Sequence, residues 1–145
     1  MRLSTKGRYA TRIMLCIARL QNNGAVPKKI ISEEEGISTD YIEQIVVPLK
    51  NAGLVSSTRG LHGGFRLTKA PIHITLYDIL SATEGEFKQV DKLMEGKSRS
   101  DSTVMEDVWQ GAFQELYKYF STISLQDCLE NYVKLMDKEP IMFNI

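Results

Sequence analysis

Cysteine is scarce in this chain: 145 residues hold two, Cys16 and Cys128. They lie far apart, each within a helical pattern. No disulfide framework is built, and a reducing, cytoplasmic setting is expected. No run of about 18 apolar residues occurs, so neither a spanning helix nor a membrane partner is expected. The opening MRLSTKGRYA leads into an amphipathic helix instead of an apolar signal core, so secretion is not expected. Histidine is equally rare, with only His62 and His73. There is no HExxH, no GxSxG and no glycine loop feeding a phosphate-binding helix, and no pair of residues suggests catalysis. An enzyme is not expected, and neither is a cofactor or a metal site. Internal repeats are absent.

Net charge is missing too, but its parts are unevenly spread. Residues 1–69 hold 11 Lys and Arg against 5 Asp and Glu, a net +6. Residues 70–145 hold 7 against 13, a net −6. A basic half beside an acidic half points to a polyanion partner for the first. The length fits one domain, or one with an appendage, and suffices for a core without disulfides.

Helical patterning starts at once. Ser4 or Thr5 can cap a helix to about Asn22, with Tyr9, Ile13, Met14, Ile17, Ala18 and Leu20 at helical spacing. Pro27 suits the first position of a second helix, which stops at Gly36. Ser38 or Thr39 caps a third. Its apolar face is Tyr41, Ile42, Ile45, Val46, Leu49 and Ala52, and Pro48 should bend it or interrupt its hydrogen bonding. A strand over 54–57, a loop over 58–64 with three glycines and a returning strand over 65–67 follow. Thr75 caps a fourth helix, from Leu76 to about Thr83, which Gly85 breaks. Residues 86–101 are polar and read as a loop or frayed turn.

A long helix spans about 103–122. Val104, Val108, Ala112, Leu116, Tyr119 and Ile123 make one apolar stripe; Met105, Trp109, Phe113, Leu116 and Phe120 make a second. Two stripes exceed what a surface helix of a monomer needs. This helix is expected to pack on its own domain and on a partner chain. Ser124 caps a last helix to about Met136, with Leu129, Tyr132, Val133 and Met136 inward, and Pro140 stops it. The expected fold is mainly α with a small β-wing (α+β). It divides into a winged helix-turn-helix over 1–84, a polar loop over 85–101, dimerisation helices over 102–136 and a tail over 137–145.

Helices two and three meet at a three-residue turn, Gly36-Ile37-Ser38, as a helix-turn-helix does. The N-terminal residues of a recognition helix reach base edges. Here those are Thr39, Asp40, Glu43 and Gln44. Gln pairs bidentately with adenine, and Glu or Asp accepts from the cytosine amino group. Ser38 and Tyr41 can hydrogen-bond phosphates. Arg59 is the base-reading or minor-groove candidate of the wing, and His62 is expected on the DNA backbone. Gly60, Gly63 and Gly64 would let main chain approach the sugar-phosphate wall. Lys6, Arg8, Lys28, Lys29, Lys50 and Arg66 are phosphate candidates, with Arg2 beside them.

MRLSTKGRYA, the helix segment ISTDYIEQIVVPLKNAGLV and the wing RGLHGGFRL together resemble the Rrf2 family of bacterial winged-helix regulators. The resemblance extends along nearly the whole chain, to the long helix and the SLQDCLE helix start. It implies a homodimeric repressor in which the long helices of two subunits cross. Such a dimer reads a pseudo-palindrome on double-stranded DNA, with half-sites about 34–36 Å apart or a multiple of that. Iron-sulfur members carry three cysteines before the long helix, whereas residues 85–101 here hold neither Cys nor His. Oxygen ligands such as Glu86, Asp91 or Asp101 could substitute only in part. Cys16 and Cys128 read either as small buried hydrophobes or as redox thiols.

The chain most resembles the cluster-free branch of that family, repressors of cysteine metabolism with a similar Met-Phe-x-Ile ending. That implies a partnership with cysteine synthase through Met142, Phe143, Asn144 and Ile145, where Ile145 offers an apolar side chain and a terminal carboxylate. Docking of this tail on its own dimer is the alternative. Two other functions compete: sensing of redox, iron or nitric oxide through an unusually ligated cluster, and an interaction module that modulates an enzyme.

Overall fold

Why the chain folds as it does is clearest at its helix starts. The computed structural model describes residues 3–85 and 101–138, the side chain of Ser102 excepted. Arg2, the loop residues 86–100, Pro140 and the tail 142–145 lie outside the described residues. In α1 (Thr5–Leu20) the Ser4 side chain accepts from the Gly7 N–H at 3.0 Å, so Ser4 is the cap. Ile13, Met14, Cys16 and Ile17 are fully buried and form the centre of the core. A short 3-10 turn over Gln21–Asn23 ends the helix.

Helix α2 (Lys28–Glu35) starts one residue later than expected. Pro27 is its cap, with extended backbone, and Lys28 is the first helical residue. Gly36 stops it in the left-handed region at φ 65°, its N–H bonded to the Ser32 carbonyl. Ser38 caps α3 (Thr39–Asn51), accepting from the Tyr41 N–H at 3.2 Å. Ile42, Ile45, Val46 and Leu49 are buried, at the spacing expected. Ala52 is not on that face: it caps the helix end and is exposed. Helix α3 runs through Pro48, and the Ala52 N–H bonds the Pro48 carbonyl at 3.0 Å. What proline removes is the bond its own missing N–H would have made to the Gln44 carbonyl.

Strands β1 (Val55–Thr58) and β2 (Gly64–Leu67) pair antiparallel, Val55 opposite Leu67 and Thr58 opposite Gly64. The first strand lies one residue further along than expected, because Leu54 is spent closing α3: its N–H bonds the Leu49 carbonyl at 3.0 Å. A third pairing has no counterpart in the sequence reading. Val26 exchanges both main-chain hydrogen bonds with Phe65, each at 2.9 Å. This pins the base of the hairpin to the entrance of α2.

Helix α4 (Leu76–Glu84) and helix α6 (Leu125–Asp137) both open with a capping box, Thr75 with Asp78 and Ser124 with Asp127. The two caps pair with each other. Leu76 N–H donates to the Ile123 carbonyl at 3.0 Å, and Leu125 N–H to the Ile74 carbonyl at 2.7 Å. Leu125 thereby joins the core, and Leu129 packs at its edge. Arg19 fastens the other end of the contact, 4.6 Å over the Tyr132 ring and 2.7 Å from Glu34. Val133 and Met136, expected inward, are exposed in the single chain.

Helix α5 (Asp101–Thr122) begins at Asp101, two residues before the start that the sequence pattern predicts. Its 22 residues span about 33 Å. None is buried among those described. Val104 is 66% exposed and Trp109 54%; Met105, Val108 and Tyr119 are exposed as well, and so is Ala112. Phe113, Leu116 and Phe120 are half-buried. The end of α5 meets α4, where the Tyr77 and Tyr117 rings stack edge to face at 4.2 Å.

Candidate nucleic-acid interface

The burial of one face of α3 decides what its other face offers. With Ile42, Ile45, Val46 and Leu49 inside, Asp40, Glu43, Gln44, Val47 and Lys50 are left exposed and Thr39 half-buried. Tyr41 and Ser38 sit at the helix start. The Tyr41 ring packs edge to face on Tyr9 at 5.8 Å, and Arg12 lies 5.1 Å over that same Tyr9 ring. The start of α1 is thereby joined to the start of α3, and exposed Arg8 and half-buried Lys6 occupy the same end of α1.

Between α2, α3 and the hairpin lies a cleft of about 430 Å³. Lys28, Lys29, Lys50 and Arg59 line it, with Glu43, Ser57 and Thr58. Four cations against one carboxylate make it attractive to a polyanion. Glu43 does not stand free here. The Lys28 ammonium bonds its carboxylate at 3.0 Å, and both side chains are about half exposed. Two residues expected to act separately are thus paired. Ser57 and Thr58 were not singled out from sequence; only the strand register brings them to the cleft.

The wing glycines have reasons inside the chain. A Cβ on Gly64 would lie 2.4 Å from the Val26 carbonyl carbon and oxygen. One on Gly63 would lie 2.5 Å from the Thr58 carbonyl oxygen. The Gly63 N–H bonds the Gly60 carbonyl at 3.0 Å, closing a tight turn with Leu61 and His62 at its tip. Phe65 is buried, so alternation along β2 turns Arg66 to the solvent face, opposite Ser56. His73 is exposed on a short 3-10 turn, Pro71–His73. A larger opening, about 690 Å³, separates the end of α1 from α6, with Ala18, Leu129 and Val133 in its walls.

Helix, turn, recognition helix and hairpin in this order define a winged helix-turn-helix protein, here with an appended long helix. Residues 3–131 match the family model Rrf2, described as an iron-dependent transcriptional regulator, and the chain belongs to that family. The transcriptional regulator CymR of Bacillus subtilis is 36% identical, with 83% of this chain and 99% of the relative covered. The regulator IscR of Photorhabdus laumondii is also 36% identical, with 90% and 80% covered. The solved structure of CymR of B. subtilis, described as its global cysteine regulator, superposes with a TM-score of 0.77 at 32% identity, covering 90% of this chain and 98% of that one. No helix among the described residues is long and apolar enough to cross a membrane.

The word iron-dependent raises the question of a cluster. Residues 86–100 contain neither Cys nor His. Cys16 is fully buried, and burial, reinforced by Glu35, pushes its thiol up to about 11. Cys128 is half-buried, and burial with Asp127 pushes it up also. Clusters are held by several thiolates, whereas Cys16 and Cys128 are the two cysteines of the whole sequence and neither lies in the segment just before the long helix. Among the described residues no group of three or more His, Cys, Asp or Glu could hold a metal ion. This donor set does not fit a thiolate-held cluster.

Proposed function

We propose that this chain is a homodimeric, sequence-specific DNA-binding repressor, acting in the cytoplasm where the chromosome lies. The observation that carries the reading is the convergence of Lys28, Lys29, Lys50 and Arg59 on one cleft beside the exposed face of α3. In this reading Glu43, Gln44 and Arg59 choose the sequence, and Thr39 and Asp40 lie near base edges. Lys6, Arg8, Lys28, Lys50, Arg66 and His62 hold the backbone. Pairing with Lys28 gives Glu43 a defined direction before DNA arrives. The cost of that pair is small, since exposed pairs are worth about 0–1 kcal/mol.

The uncovered stripes of α5 supply the second half of the reading. Val104, Met105, Val108 and Trp109 expose apolar surface that a second copy would cover, with Phe113, Leu116 and Phe120 behind them. A two-fold dimer sets two clefts on one face of the duplex, and the operator is then pseudo-palindromic. We infer further that the genes controlled serve cysteine or sulfur metabolism, with cysteine synthase as the partner bound through residues 142–145. The likeness to CymR supports this, as does a donor set unsuited to a cluster. Gel shifts on the promoter of its own operon at graded salt test the DNA reading; equal affinity for scrambled DNA would reject it. Capture of cysteine synthase by the full chain, lost on removal of residues 142–145, tests the partner. Unchanged capture would reject it.

A further inference from the structure

The tip of the wing carries a side chain that charge does not explain. Leu61 is 94% exposed, the most exposed large apolar residue among those described. Its position is fixed by main chain. The Gly63 N–H to Gly60 carbonyl bond at 3.0 Å makes Leu61 and His62 the central residues of a turn. Close contact at Gly63, where a Cβ would meet the Thr58 carbonyl oxygen at 2.5 Å, keeps that turn tight. Arg59 lies two residues before Leu61, at the start of the same loop. The turn therefore holds an aliphatic group in water, two residues past Arg59 in the chain.

We propose that Leu61 reads sequence by exclusion: its side chain enters the minor groove and accepts an A·T pair but rejects a G·C pair. The proposal rests on the double-stranded DNA reading above. In the minor groove a G·C pair differs from A·T by the guanine amino donor. A leucine pressed on that donor strips its water and offers no acceptor in return. The acceptors of A·T, adenine N3 and thymine O2, have counterparts in G·C and their burial does not discriminate; where guanine carries its amino group, A·T presents only the adenine C2–H. Arg59 supplies the charge that draws the tip in, and Leu61 supplies the discrimination.

The test uses the full-length dimer and an operator fragment selected from random DNA. A footprint locates the base pair under the wing, and that pair is made A·T, G·C or inosine·C. Inosine lacks only the guanine amino group. Wild-type protein should bind the G·C fragment about tenfold more weakly than A·T, and inosine should restore binding. Leu61→Ser should bind A·T about fivefold more weakly than wild type and should not distinguish G·C from inosine·C. If Leu61→Ser keeps the wild-type ratio between G·C and inosine·C, the assignment to Leu61 is overturned while the DNA reading stands. If wild type binds none of the three better than scrambled DNA, the DNA reading falls first and takes this one with it.

Discussion

Replacing Gly64 by alanine should release the wing from the body of the protein. The new Cβ would lie 2.4 Å from the Val26 carbonyl carbon and oxygen and 2.7 Å from the Pro27 nitrogen. All three are main-chain atoms at the entrance of α2, so no side chain can swing aside. The strand must retreat, and the two Val26–Phe65 hydrogen bonds at 2.9 Å go with it. At about 1 kcal/mol each, with some loss of Phe65 burial, the cost is about 2–4 kcal/mol. Gly36→Ala is the control. Gly36 has φ 65° but nothing within 4 Å, so it should pay only left-handed strain, about 1–2 kcal/mol. Urea unfolding at fixed protomer concentration compares the two. Amide exchange at Val26 and Phe65 should accelerate in Gly64→Ala alone. A Gly64→Ala protein as stable as Gly36→Ala, with those amides still protected, would refute the anchoring role of Val26.

Other outcomes follow from the same geometry. Arg59→Ala should cost about 1–3 kcal/mol of operator affinity if it reaches a base edge, and unchanged affinity in gel shifts would disprove the wing reading. The eight cleft cations of a dimer contribute about −7 to the slope of log affinity against log salt, and Lys50→Ala should flatten it by about 2. Trp109→Glu on α5 should give monomers by sedimentation at micromolar concentration, and a persistent dimer would relocate the interface. Cys16 should resist thiol reagents at neutral pH until the protein unfolds. Burial lifts its folded pKa to about 11, above the ordinary thiol value of 9.0. The stability it contributes is therefore intact below pH 9 and is lost as pH rises toward 11, which unfolding curves across that window would reveal.

Most of the cleft was legible in the sequence because its parts are local. Ser38 before an apolar period of 3.6 marks a helix start, and that period alone turns Glu43, Gln44 and Lys50 outward. The Val26 contact was not legible, because one residue pairing with a strand leaves no period. Neither was the Lys28–Glu43 pair, which depends on how α2 crosses α3. Val133 and Met136 show a different limit. Apolar spacing says which face of α6 is greasy, and it does not say whether the same chain covers it. For α5 two stripes predict more apolar surface than one neighbour can bury, and Val104, Met105, Val108 and Trp109 are exposed in the single chain. The glycines of the wing were legible as a loop, while the reasons for Gly63 and Gly64 lie in carbonyls that only the fold brings near.

Selection of bound DNA from a random pool tests the central claim most directly. A dimer reading through two α3–wing clefts predicts enrichment of one inverted repeat, its half-sites about one helical turn apart or a multiple of that. Gln44→Ala should relax the choice of base within each half-site. A pool that stays random, or one enriched in a single unrepeated site, would contradict the account.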